Sequence, residues 1–96
     1  MSMHSRSSDL KTADAQIYTG RCALCGFILN PAISAAATLT IHDGTDTSGK
    51  VLAKVTVTEA ATGNEPIVVD FSRPVTAEVG LFADLTGGTD YVVYFN

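Results

Sequence analysis

From Gln16 onward, Val, Ile, Thr, Phe and Tyr gather in short runs interrupted by Gly, Asn, Asp and Pro, the punctuation of strands and turns. The runs are Ile17 to Thr19, Arg21 to Asn30, Thr38 to His42, Val51 to Thr58, Ile67 to Phe71, Leu81 to Leu85 and Tyr91 to Phe95. Asn30-Pro31 stops the second run, because Pro31 has no amide donor and restricts the residue before it. Ser72-Arg73-Pro74 reads as a break after Phe71, while Asp43 to Gly49 and Ala60 to Glu65 read as loops and Thr86 to Asp90 as a hairpin connection. The best helical candidate, Ala32 to Ala37, lies between a proline and a strand and reads as a turn. Seven or eight short strands without an amphipathic helix predict an all-β fold, an antiparallel, jelly-roll-like β-sandwich.

Alternation assigns faces. Leu39 and Ile41 point to the core, with Thr38, Thr40 and His42 opposite; Val51, Ala53, Val55 and Val57 point inward, as do Tyr91, Val93 and Phe95, leaving Tyr94 as the exposed ring. In the strand from Arg21 to Asn30, strict alternation puts Cys22, Leu24 and Ile28 on one face and Ala23, Cys25, Phe27 and Leu29 on the other. Both faces are then apolar, so the strand calls for cover on its outer side from another subunit or from the N-terminal segment. Residues 1–15 hold Ser, Asp, Arg6, Lys11 and His4 with Leu10 as their one large aliphatic side chain. They read as an extended arm outside the fold and against a neighbouring chain, with residues 16–96 forming the sandwich domain.

Composition narrows the function. The 96 residues suffice for one domain with a thin core, a situation in which oligomerisation is a natural supplement. A net charge of −4, from six Lys plus Arg against ten Asp plus Glu, argues against nucleic acid as a partner. No apolar run approaches the roughly 20 residues of a membrane-spanning helix, so no membrane partner is expected.

The candidate chemistry is sparse. Cys22 and Cys25 form a C-x-x-C, yet a structural metal site needs four ligands, and only His4 and His42 are at hand. Within a strand the two thiols point to opposite faces, so they read as packing residues in a reduced protein. His42, with Asp43 and Ser48 nearby, reads as a solvent-facing residue at a strand end. Asp70, Asp84 and Asp90 fall at outward or turn positions with no spacing that pairs them. Gly87-Gly88 has no following helix to make a phosphate cradle. No catalytic residue, metal site or cofactor is assigned.

The distribution of strands carries one resemblance. Gly20 to Pro31, Leu39 to Gly44 with Ser48 to Ala53, Phe71, Gly80 to Leu85 and the Thr-Gly-Gly-Thr turn into Tyr91 to Phe95 resemble small virion structural proteins of tailed bacteriophages. The resemblance covers Gln16 to Asn96 and rests on common strand and turn residues. It implies a non-enzymatic capsid decoration or cement protein, made in the host cytoplasm and placed on the virion surface. The implied partners are the major capsid protein and further copies of the chain, as a homotrimer. Leu10, Tyr18, Phe27, Leu29, Arg73 and Phe82 are the expected contact residues, together with the arm. Other readings are a neck, tail or fibre-base component and a carbohydrate-binding attachment module using Tyr94 and the loop from Gly44 to Gly49.

Overall fold

The computed structural model describes residues 6–30, 36–57, 67–87 and 90–96. Eight strands run through them: β1 (Arg6–Ser7), β2 (Ala15–Thr19), β3 (Cys22–Asn30), β4 (Ala37–Asp43), β5 (Lys50–Val57), β6 (Ile67–Ala77), β7 (Gly80–Gly87) and β8 (Asp90–Phe95). Sheet I has the order β1-β8-β3-β6 and sheet II the order β2-β7-β4-β5. All pairings are antiparallel. Strands 1 and 8, 2 and 7, 3 and 6, and 4 and 5 are hydrogen-bonded neighbours, the pattern of one long antiparallel ribbon rolled up into two facing sheets. This is a jelly-roll β-sandwich. Of the expected helical turn, residues 31–35 lie outside the described residues, and Ala37 already belongs to β4.

The core lies between the sheets. Leu24, Phe27 and Leu29 of β3 and Tyr91 and Val93 of β8 meet Leu39 and Ile41 of β4 and Leu81 and Ala83 of β7, all essentially inaccessible to water. Each large side chain in this layer contributes about 1.5–3 kcal/mol through its removal from water. Phe27 meets Phe71 edge-on, with ring centroids 6.1 Å apart. Alternation places Leu39 and Ile41, and Tyr91, Val93 and Phe95, where the sequence predicts them.

Bulges account for three departures. In β3 the register shifts between Leu24 and Gly26, so the core face takes Cys22 and Leu24 and then Phe27 and Leu29, while Ala23, Cys25 and Ile28 turn outward. The half-shift falls at Gly26, where a Cβ would run into the carbonyl oxygen of Val69. Opposite this point, Leu24 pairs with Val75 and Gly26 with Asp70, leaving Phe71 to Pro74 as the extra length on β6. Ser72-Arg73-Pro74 thus interrupts the ladder without ending the strand, since β6 continues to Ala77. In β5 Leu52 is the extra residue between the Ile41–Ala53 and His42–Val51 pairs. Leu52 therefore packs on the core and Val51 points to solvent, the reverse of strict alternation.

Residues 6–14 do not lie outside the sandwich. β1 pairs with β8, Ser8 donates its N–H to the Val93 carbonyl at 2.8 Å, and its Oγ accepts the Val93 N–H at 2.9 Å. Lys11 and Tyr91 exchange backbone hydrogen bonds of 2.9 Å. The guanidinium of Arg6 stands 4.7 Å over the ring of Tyr18 and 4.8 Å over that of Phe95. A segment without apolar periodicity joins the fold because its task is to satisfy the polar edge of β8, which hydroxyl and backbone groups do as well as any.

Candidate interaction surface

The outer face of sheet I carries an apolar strip. The register aligns Val68 of β6, Ile28 of β3 and Val92 of β8 in one row across three strands. Val68 is 63% exposed at the sheet edge. In the next row Asp70 and Tyr94 flank Gly26. Over this row lies an open cleft of about 230 Å³ lined by Cys25, Gly26, Val68, Val69, Asp70 and Tyr94. At the end of the face the amide of Asn30 donates to the carboxylate of Asp90.

The two cysteines are free and fall on opposite sides of sheet I, Cys22 toward the core and Cys25 in the outer cleft. Burial pushes the Cys22 thiol above its ordinary range and keeps it protonated. Among the described residues no group of three or more His, Cys, Asp or Glu side chains is placed to hold a metal ion.

Sheet II has a more polar outer face. His42 is 6% exposed, not solvent-facing. It stands between Val51 and Phe82 in the register, and its Nδ1 lies 3.0 Å from the carbonyl oxygen of Gly49. A carbonyl only accepts, so Nδ1 carries the proton; Nε2 is buried with no protein partner among the described residues. The loop after β4 closes over this ring. Asp43 accepts the N–H groups of Glu78, Val79 and Gly80, and these bonds hold its carboxyl below the usual range. Gln16 donates from Nε2 to the carbonyls of Tyr18, Gly44 and Leu81, tying the same loop to β2 and β7.

Asp84 has a partner that sequence spacing did not reveal. The β2–β7 ladder pairs Ala15 with Ala83 and Gln16 with Phe82, so its next step sets Asp14 against Asp84. Asp14 accepts the N–H of Leu85 at 2.7 Å, and burial together with the Asp14 charge raises the Asp84 carboxyl above its ordinary range. Two carboxylates 70 residues apart in sequence become neighbours only through the rolled ribbon.

The expected contact residues scatter over the molecule. Leu10 is 59% exposed beside β8, Arg73 is exposed on the β6 bulge, and Phe82 is half-buried beside His42 on sheet II. Tyr18 packs on Phe95, with ring centroids 5.3 Å apart. Phe27 and Leu29, at 2% and 0% exposure, belong to the chain's own core and are unavailable to another chain; the bulge at Gly26 turned them inward. Tyr94 and the loop from Gly44 to Gly49, grouped in the glycan-binding expectation, sit on different sheets. The row Val68, Ile28 and Val92 was missed, although the both-sided apolarity of β3 was its signal in the sequence. No protein-family model, curated protein or solved structure matches this chain.

Proposed function

We propose that the chain is a non-enzymatic structural protein of a virion, of the capsid decoration or cement type, which binds the major capsid protein and further copies of itself. The observation that carries this reading is the apolar row Val68, Ile28 and Val92, which ends at the β6 edge of sheet I with Val68 63% exposed. Such a strip, bordered by polar groups, marks a protein-binding surface more often than a catalytic one. The jelly roll adds an analogy at the level of fold, since viral capsid domains share it; lectin domains share it as well. Burying the strip against a shell removes apolar area from water, and copies that also bind one another would hold the shell at several points at once, so contacts that are individually weak add up.

The test is co-sedimentation of the purified chain with phage capsids, with copy number read by gel densitometry. Many copies spread over each shell support decoration; a single ring's worth moves the protein to the neck, tail or fibre base. No binding to any shell overturns the reading. The attachment-module alternative draws on Tyr94 and Asp70, an aromatic ring and a carboxylate that line the same cleft from either side of Gly26. Glycan-array binding lost in Tyr94→Ala would establish it.

A further inference from the structure

We propose that β6 is a self-association edge, and that two copies of this chain pair β6 to β6, antiparallel, about a two-fold axis at Val68. The first argument is the contrast between the open edges. An edge strand presents unpaired N–H and C=O groups, and proteins guard such edges with Lys, Pro or bulges. β5, the edge of sheet II on the corresponding side, carries exposed Lys50 and Lys54. Among the described residues the stretch of Ile67, Val68 and Val69 carries no Lys, Pro or bulge, and the ladder to β3 is regular from Ile67 to Asp70. Pro66 precedes this stretch in the sequence and Arg73 and Pro74 follow it on the bulge, so they bound the run over which a new ladder would form.

The second argument selects the partner. In antiparallel pairing, residues directly opposite share a face, so a two-fold axis normal to the sheet must pass through a residue paired with its own copy. Centred on Asp70, the pairing sets two carboxylates face to face; centred on Val69, it sets each Val68 against an Asp70. Centred on Val68, it joins Val92, Ile28 and Val68 to the same three residues of the partner copy in one unbroken apolar row. Ile67 then meets Val69 on the core side. The two Asp70 carboxylates end four positions apart along the joined strands, about 14 Å. An edge this self-complementary fits a second copy of the chain, and sheet I becomes one eight-stranded sheet across the dimer. The inference goes beyond the virion reading and does not depend on it. It replaces the three-fold association expected from sequence with a two-fold one.

Analytical ultracentrifugation across the micromolar to submillimolar range tests it. The wild-type chain should double its mass with concentration. Val68→Lys should weaken the dimer by more than about tenfold while keeping the circular dichroism spectrum and melting temperature, because Val68 is exposed in the single chain. In a Cys25→Ser background, Val68→Cys should cross-link to a covalent dimer on mild oxidation, since directly opposite Cβ atoms lie about 4.5–5.5 Å apart. A chain that stays monomeric, forms a trimer, or dimerises as well with Lys at position 68 overturns the proposal. A dimer that never cross-links through position 68 overturns the register. Loss of shell binding with the dimer intact would count against the virion reading alone.

Discussion

The carboxylate of Asp43 accepts the backbone N–H of Val79 at 2.8 Å, joining the end of β4 to the turn between β6 and β7. The N–H groups of Glu78 and Gly80 point to the same carboxylate, so one side chain satisfies three consecutive donors. The bonds favour the charged form, and the carboxyl is held below its ordinary value. A depressed carboxyl stabilises the fold above its unfolded-state pKa, and that contribution is lost as pH falls through the folded-state value. Asp43→Ala should therefore lower the melting temperature at pH 7 and shrink the difference from wild type as the pH is taken down through the carboxylate range. Melting curves from pH 7 to pH 2 check both.

Asp84 behaves in the opposite sense. Burial and the charge of Asp14 raise its carboxyl, so folding is opposed as pH rises from the ordinary carboxylate value through the raised one, and the cost persists at neutral pH. Asp84→Asn should stabilise the protein at pH 7 by less than about 1 kcal/mol, the scale for like charges opposed on a ladder near solvent. The gain should vanish below the carboxylate range. Denaturant titrations at pH 7 and pH 3 check this, and a loss of stability at pH 7 would show that the pair is held together by something other than charge.

These two aspartates show what could and could not be read from the chain. Strands were legible wherever alternation held, as in Leu39 and Ile41 or Tyr91, Val93 and Phe95, because a regular strand maps sequence parity onto faces. Parity fails at a bulge. One extra residue at Leu52, and the shift at Gly26, reversed the sides assigned to Val51, Phe27 and Leu29, and nothing local announces such a shift except a glycine. Pairings across the roll were less legible still: Asp14 with Asp84 and Asp43 with Val79 depend on which strands become neighbours. The arm was misplaced for another reason. Its contribution is hydrogen bonding to β8, which leaves no apolar signature.

The two phenylalanines grouped as surface contacts should separate clearly. Phe27 is enclosed between the sheets against Phe71, whereas Phe82 is half-buried on the outer face of sheet II. Phe27→Ala removes a core ring and leaves a cavity, at a cost of about 3–5 kcal/mol, a large share of the roughly 5–15 kcal/mol available to a domain of this size. Phe82→Ala should cost less than half as much. Chemical denaturation of both variants decides the point, and equal losses would mean that Phe82 is covered as fully as Phe27.

Tyr91 is the residue through which the arm is fastened. Its hydroxyl donates to the Ala13 carbonyl at 2.7 Å, and its backbone exchanges two hydrogen bonds with Lys11. Burial, helped by the charges of Asp14 and Asp84, pushes the phenol up to about 12. The raised value means that stability is complete below the ordinary tyrosine value of about 10 and falls as pH rises from there to about 12, by something on the order of 2 kcal/mol. Tyr91→Phe keeps the ring in the core and removes only the hydroxyl, so at pH 7 it should cost about 0.5–1.5 kcal/mol, the net worth of one buried hydrogen bond. The loss should be concentrated in the arm. Hydrogen exchange at the Ser8 and Lys11 amides should quicken while that at the amides of Leu39 and Ile41 changes little, because the hydroxyl bonds to Ala13 and takes no part in the β4 ladders. Above about pH 11 the alkaline fall attributed to this phenol should also disappear from the variant. If exchange quickens evenly over the whole sandwich, the hydroxyl supports the core as a unit and the arm is not separately hinged.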